Sequence, residues 1–203
     1  VAELCGVHDG TGCGPESRDR DFCADTAGGE GVKLLLLISG KAGAGKDTFA
    51  DSIASLGFHK YSFAKALKDE ALSGGWDGAK DERGRVLLQE LGSVWRHYEP
   101  EHWIRRLQES ICHDMVVITD CRYLNEISLM SKWGYQNGYN VATVRIERPG
   151  HDNRLSEDAK AHDSECELDN ESFDMVVENN GTLLQFCIGA REVGKCLIES
   201  SGS

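Results

Sequence analysis

An unbroken apolar run that leads into a glycine-rich turn constrains this chain most. Residues 34–38 are four leucines and an isoleucine, and the turn G-K-A-G-A-G-K follows at residues 40–46. An apolar run without polar alternation is typical of a strand buried on both faces of a parallel sheet. The apolar spacing of residues 47–56 predicts a helix packed on that sheet. Strand, loop and helix are therefore expected in direct succession.

The turn matches the phosphate-binding loop G-x-x-x-x-G-K-[ST], except that Asp47 replaces Ser or Thr and Thr48 follows it. Glycines let the backbone approach a ligand because no Cβ intervenes. The loop N–H groups and the positive end of the following helix then converge on phosphate oxygens. Lys46 is expected to reach the β- and γ-phosphates, and Thr48 to contact Mg²⁺ or a phosphate oxygen. The predicted nucleoside-triphosphate-binding residues are Gly40, Lys41, Ala42, Gly43, Ala44, Gly45, Lys46, Asp47 and Thr48.

A second apolar run, at residues 115–119, ends in the carboxylate of Asp120. An Asp at the end of such a strand typically faces the phosphates and Mg²⁺. The carboxyl ends of parallel strands meet at one edge of the sheet, so Asp120 is expected at the same rim as Gly40. Arg122 follows at once. It either pairs with Asp120 or binds an acceptor phosphate, and we favour the phosphate.

The order of predicted elements describes an α/β domain of three layers: a five-stranded parallel sheet of the P-loop NTPase type with helices on both faces. Residues 1–31 are rich in Gly and acidic residues and are predicted to be a flexible, disordered leader. The domain is expected to span residues 32–203. Residues 150–167 form a polar stretch without periodicity, which is typical of a lid.

Composition excludes several classes of partner. A net charge of −12 argues against a nucleic-acid-binding surface, and no apolar run reaches membrane-spanning length. Five later cysteines without paired spacing favour free thiols and a cytoplasmic location, or the host cytoplasm for a viral protein: Cys112, Cys121, Cys166, Cys187 and Cys196. The alternative of a zinc site from Cys5, His8, Cys13 and Cys23 has a spacing that matches no common zinc pattern.

Phosphoryl transfer needs positioning and charge neutralisation, which a phosphate-binding loop, a strand-end Asp and a polar lid that carries Arg154 would provide. A GTPase would need an N-K-x-D element, and none occurs. A lid that excludes water favours a small kinase, because closure prevents wasteful hydrolysis of the triphosphate.

Seven segments, in the same order, resemble the viral and bacterial deoxynucleoside monophosphate kinases, members of the P-loop nucleoside-monophosphate kinase group. The resemblance extends from about residue 33 to residue 198. The segments are S-G-K-A-G-A-G-K-D-T (39–48), Y-S-F-A-K-A-L-K-D (61–69), L-L-Q-E-L-G (87–92), I-T-D-C-R-Y-L-N-E (118–126), V-R-I-E-R-P (144–149), H-D-S-E-C-E-L-D (162–169) and F-D-M-V-V-E-N-N-G-T-L (173–183).

The resemblance implies transfer of a phosphoryl group from ATP, with Mg²⁺, to a (deoxy)nucleoside monophosphate, a phosphate acceptor. It makes Asp47-Thr48 a family marker. The implied catalytic residues are Lys46, Asp120, Arg122 and Arg148; the implied metal contacts are Thr48 and Asp120. The implied acceptor-side residues are Ser62, Lys68, Gln89, Arg96 and Arg122. The lid would contribute Arg154, His162, Ser164 and Glu165. A small molecule is the expected partner, no nucleic acid or membrane is expected, and a homodimer is left open.

Three alternatives stay open at this point. The segments S-E-C-E-L-D-N and F-D-M-V-V-E-N also resemble animal-type phosphomevalonate kinase, whereas D-C-R-Y-L-N-E at residues 120–126 favours the nucleotide kinases. Dephospho-coenzyme-A kinases are a more distant resemblance. A non-catalytic nucleotide-binding regulatory protein is the alternative from another class, and the set of Lys46, Asp120 and arginines argues against it.

Overall fold

The computed structural model describes residues 31–79, 81–150 and 166–202. The predicted leader, apart from its last residue, lies outside the described residues. So do the candidate zinc ligands and the four named lid residues, Arg154, His162, Ser164 and Glu165.

The described chain alternates strands and helices, as the apolar pattern predicts. The strands are β1 (Leu34–Ser39), β2 (His59–Tyr61), β3 (Met115–Ile118), β4 (Asn140–Glu147) and β5 (Met175–Glu178). The helices are α1 (Lys46–Ile53, followed by a 3-10 turn at Ala54–Leu56), α2 (Phe63–Ser73), α3 (Glu82–Tyr98), α4 (His102–Ser110), α5 (Leu124–Gln136) and α6 (Leu183–Ser201).

The five strands form one sheet in the order β2-β3-β1-β4-β5, and every neighbouring pair is parallel. β1 is the central strand, and all its residues are buried. Its alternate side chains build two cores, because successive residues of a strand point to opposite faces. Leu36 packs with Phe49 of α1 and Phe186 of α6, whereas Leu35 packs with Leu107 of α4 and neighbours from α5. The predicted three-layer α/β fold is confirmed.

Local hydrogen bonds set the ends of the elements. α3 begins at Glu82, because the Asp81 carboxylate accepts a hydrogen bond from the Gly84 N–H at 2.8 Å. β3 ends at Ile118, so Asp120 lies two residues beyond the strand. The free thiols include Cys121, Cys166, Cys187 and Cys196. Cys112 is disulfide-bonded, so the prediction of a free thiol is wrong for that residue.

Candidate functional site

The glycine-rich loop joins the end of β1 to the start of α1 and needs glycine at three positions. Gly40, Gly43 and Gly45 have φ values of 151°, 76° and 111°, which side-chain-bearing residues rarely adopt. A Cβ on Gly40 would lie 2.5 Å from the carbonyl oxygen of Ile146, and one on Gly45 would lie 2.7 Å from Asn179 Nδ2. Close packing against β4 and the β5–α6 turn therefore leaves no room for a side chain.

Lys46 is the first residue of α1, and its ammonium folds back over the loop. Its Nζ donates hydrogen bonds to the carbonyl oxygens of Gly40 at 2.6 Å and Lys41 at 2.9 Å. The charge thus lies beside the loop at the positive end of α1, where an anion would be stabilised. Asp47 is exposed and forms an ion pair with Lys60 of β2, 3.3 Å between Oδ1 and Nζ.

A cleft of about 330 Å³ opens on this loop. Arg148, which follows β4, donates a hydrogen bond from Nη1 to the carbonyl oxygen of Gly43 at 3.3 Å. Asn179, which follows β5, donates from Nδ2 to the carbonyl oxygen of Ala44 at 2.9 Å. The lining residues are Gly43, Gly45, Lys46, Asp47, Thr48, Arg148, Asn179, Gly181 and Leu183. Sequence reasoning missed Asn179, Gly181 and Leu183, although Asn179 directly follows a strand and so could have been assigned to this rim.

Asp120 lies at the same rim of the sheet, as its position after β3 predicts. The N–H of the next residue, Cys121, donates to the Ile38 carbonyl of β1 at 3.2 Å, which holds the segment across the end of the central strand. Each carboxylate oxygen of Asp120 accepts a backbone N–H at the start of α2: Oδ1 from Phe63 and Oδ2 from Ala64, both at 2.9 Å. Burial raises the pKa of Asp120, while these two hydrogen bonds and Arg122 oppose the rise.

A second cleft, of about 250 Å³, lies beyond Arg122 between α3, α4 and the start of α5. The Arg96 guanidinium lies over the Tyr123 ring, 5.1 Å from its centroid. This cation–π contact stabilises the guanidinium at the face of the ring. The lining residues are Arg96, Pro100, Trp103, Ile104, Tyr123, Asn125, Glu126 and Glu167. We call this set the α3–α5 pocket. Of the predicted acceptor-side residues, it contains Arg96.

The other predicted acceptor-side residues are more dispersed. Ser62 caps α2, its Oγ accepting the Lys65 N–H at 3.1 Å. Arg122 directly precedes Tyr123 of the α3–α5 pocket and is partly exposed. Lys68 on α2 and Gln89 on α3 are exposed and are not among the residues that line this pocket. Their roles stay predictions.

Glu126 is a buried acid in the α3–α5 pocket, only 4% exposed. Its Oε2 accepts the N–H groups of Arg122 at 2.7 Å and Tyr123 at 3.1 Å, so it fixes the backbone that carries both side chains. Burial raises the pKa of Glu126 from 4.5 to about 7, against the effect of these hydrogen bonds. Glu126 is therefore partly protonated near neutral pH.

This titration predicts a measurable dependence of stability on pH. A carboxyl whose pKa is higher in the folded than in the unfolded chain contributes stability at low pH, which is lost as pH rises through the folded value. Between pH 5 and pH 8 the free energy of unfolding should fall by up to about 3 kcal/mol through Glu126. Glu126→Gln keeps an oxygen that accepts both N–H groups and cannot ionise. In this variant the decrease in unfolding free energy that Glu126 causes should therefore disappear. Urea unfolding at both pH values measures it; an exposed acid, changed by Glu171→Gln, serves as control. Equal pH dependence in Glu126→Gln and the unaltered protein would contradict the assignment.

The described residues contain no cluster of three or more His, Cys, Asp or Glu side chains that could hold a metal ion. Asp120 and Thr48 both offer oxygen atoms, the ligands that Mg²⁺ prefers, and Mg²⁺ commonly takes one or two protein oxygens with the rest from water and substrate phosphates. The oxygen atoms of these two residues are of the chemical type that would hold Mg²⁺ together with substrate phosphates.

Comparison with known proteins identifies the family. The "Putative deoxynucleotide monophosphate kinase" of Acanthamoeba polyphaga mimivirus is 30% identical, over an alignment that covers 75% of this chain and 92% of the viral protein. The chain belongs to the deoxynucleotide monophosphate kinase family. No protein-family model matches the chain.

Solved structures of other kinases have a fold similar to that of this family member. Dephospho-CoA kinase from Campylobacter jejuni is 16% identical with a TM-score of 0.51, and the match covers 82% of this chain and 98% of that protein. Shikimate kinase from Aquifex aeolicus is 14% identical with a TM-score of 0.50, and covers 81% and 99%. At these identities the comparison supports the α/β P-loop kinase fold alone. Among the described residues, no helix of the deoxynucleotide monophosphate kinase family member is long and apolar enough to cross a membrane.

Proposed function

We propose that this protein transfers the γ-phosphoryl group of ATP to a (deoxy)nucleoside monophosphate, which gives ADP and the corresponding diphosphate. The observation that carries this proposal is the placement of two clefts at one rim of the sheet, the loop cleft and the α3–α5 pocket, in a member of the deoxynucleotide monophosphate kinase family. Asp120 and Arg122 lie in the segment that joins β3 to α5, and the start of α5 lines the α3–α5 pocket. Two neighbouring clefts, one with a phosphate-binding loop, suit a reaction between a triphosphate donor and a second anionic substrate.

On this proposal the loop N–H groups and Lys46 bind the β- and γ-phosphates of ATP. Lys46 Nζ lies over the loop carbonyls, so on binding ATP it would exchange these hydrogen bonds for contacts with phosphate oxygens. Arg148 lies against Gly43 and is placed to neutralise charge at the donor side. Thr48 and Asp120 would contact Mg²⁺, which screens the charge of the phosphates when it is bound.

On the acceptor side, Arg96 lines the α3–α5 pocket and Arg122 directly precedes the pocket residue Tyr123, so both would supply positive charge to an anionic acceptor. A nucleoside monophosphate presents an anionic oxygen at neutral pH, so no side chain has to remove a proton from the nucleophile. The work of the site is to hold the two substrates in line and to offset the charge that accumulates between them.

A screen of acceptors tests this function. ADP release from ATP and Mg²⁺ would be followed with dGMP, dTMP, dCMP, dAMP and phosphomevalonate, each against a control without acceptor. We expect acceptor-dependent turnover with at least one deoxynucleoside monophosphate. Turnover with phosphomevalonate alone would refute the nucleotide acceptor. Binding of ATP without turnover of any acceptor would instead support a regulatory nucleotide-binding protein.

A further inference from the structure

Two carboxylates, Glu167 and Asp169, flank a buried residue in the chain. One contacts the wall of the α3–α5 pocket and the other contacts the phosphate-binding loop. Leu168 between them is 3% exposed. Asp169 Oδ2 accepts the Lys41 ammonium of the phosphate-binding loop at 2.5 Å. Glu167 Oε1 accepts the N–H of Leu124, the first residue of α5, at 2.7 Å. One short segment thus contacts both the donor loop and the wall of the α3–α5 pocket.

A buried cation, Arg145, fixes the orientation of Asp169. Arg145 of β4 is 9% exposed and donates from Nη2 to Asp169 Oδ1 at 2.7 Å. Its Nη1 donates to Ser39 Oγ, the last residue of β1, at 3.1 Å. A buried guanidinium needs a counter-charge, so Asp169 is strongly held, and its second oxygen is presented to Lys41.

The contacts Ser39–Arg145, Arg145–Asp169 and Asp169–Lys41 hold the start of the phosphate-binding loop on both sides of Gly40. Ser39 precedes Gly40 and Lys41 follows it, and both are tied to the same Arg145–Asp169 pair. The carbonyl oxygens of Gly40 and Lys41 are also the hydrogen-bond acceptors of Lys46. Asp169 therefore limits the movement of residues 39–41, whose backbone includes the two carbonyl oxygens that accept hydrogen bonds from Lys46.

Glu167 has the corresponding place on the acceptor side. It lines the α3–α5 pocket with Arg96 and Glu126, and its acceptor oxygen caps a free N–H of α5. Glu126 holds the preceding two N–H groups, those of Arg122 and Tyr123. The two acids together fix three successive peptide groups that bear the arginine and the aromatic ring.

We infer that Asp169 and Glu167 are positioning residues, Asp169 for the ATP phosphates through Lys41 and the loop, and Glu167 for the acceptor through the start of α5. The inference rests on the proposed function, which assigns the two clefts to donor and acceptor. Neither carboxylate is assigned a contact with the reacting atoms. Each lowers the cost of ordering its half of the site when the substrate binds.

Separate variants test the two halves. Asp169→Asn replaces one of two cation-binding oxygens with an amide NH₂, so it should raise the KM for ATP and the Kd for a non-hydrolysable ATP analogue about tenfold, since hydrogen bonds to charged groups have about this effect. The KM for the acceptor should stay unchanged. Glu167→Ala should raise the acceptor KM and Kd about tenfold and leave ATP binding unchanged. Glu167→Gln, which keeps an oxygen for the Leu124 N–H, should restore acceptor binding.

The control is Asp69→Asn, which removes a carboxylate from the exposed Lys65–Asp69 ion pair, 2.7 Å long and on α2. It should change neither constant. Titrating the ATP analogue without acceptor tests Asp169 even if no deoxynucleoside monophosphate is turned over, so failure of the inference and failure of the proposed function are distinguishable. An unchanged analogue Kd in Asp169→Asn overturns the inference. So does an equal rise of both constants with a matching loss of Tm in either variant, because that pattern indicates a structural role alone.

Discussion

Replacing Lys46 with Met is expected to lower kcat for phosphoryl transfer about 100- to 1,000-fold, the loss typical of removing one preorganised group that stabilises developing charge. Met keeps most of the side-chain volume and removes the ammonium. Lys46 is the cation that lies over the loop at the positive end of α1. Its loss leaves the backbone N–H groups to hold the triphosphate, so ATP binding should weaken less than turnover. Steady-state kinetics with ADP-coupled detection gives both quantities.

Lys65→Met is the matched control, because Lys65 is exposed and pairs with Asp69 away from the loop. A surface ion pair of this kind contributes about 0–1 kcal/mol, so both activity and Tm should stay close to those of the unaltered protein. If Lys46→Met kept more than a tenth of the turnover, the loop lysine would not be the group that stabilises the transferring phosphate.

Asp120→Asn should have the second largest effect, because it combines loss of the proposed metal contact with two unequal hydrogen bonds at the start of α2. Asp120 accepts one backbone N–H on each oxygen, and Asn has only one oxygen. Its NH₂ would face either the Phe63 or the Ala64 N–H, which leaves a donor without an acceptor and costs about 1–3 kcal/mol of unfolding free energy. We expect turnover to fall about 100-fold or more through the weakened charge stabilisation at the metal side, with a higher Mg²⁺ concentration needed for half-maximal rate.

Asp81→Asn controls for the capping part of this effect. Asp81 also caps a helix, through the Gly84 N–H, but a single oxygen suffices there, and Asn is as good an N-cap as Asp. Its stability and activity should not change. A variant Asp120→Asn that loses stability yet keeps its turnover and its Mg²⁺ dependence would show Asp120 to be a helix cap without a metal role.

The sequence predicts the fold well because the decisive signals are local. The apolar run at residues 34–38 identifies β1 as a central, doubly buried strand, and the glycines at 40, 43 and 45 are the positions where φ is positive. The position of Asp120 at the rim follows from the rule that parallel strands end at one edge. These inferences need only the neighbours of each residue in the chain.

The contacts that the sequence does not reveal join residues far apart in the chain. Arg145 lies within a buried strand, where a cation contradicts the apolar pattern, and its partners Ser39 and Asp169 come from β1 and from the segment after residue 165. Burial of Glu126 likewise depends on helices that begin near residues 82 and 102. In the sequence, the available signal is a charged residue within an otherwise apolar segment. Only the packing shows which distant partner stabilises that charge.

The order of the strands has a consequence for how the chain reaches its native state. β1 lies between β3 and β4, and Leu34 is in register with Met115 and Asn140. During synthesis on the ribosome, the four consecutive leucines therefore appear long before their sheet partners, because Met115 follows Leu34 by 81 residues and Asn140 follows it by 106. Such non-local pairing slows folding and keeps an aggregation-prone segment exposed in the meantime. Lower growth temperature and added chaperones are accordingly the conditions of choice for producing the protein. Fragments that end before β4 would lack one of the two strands that pair with β1.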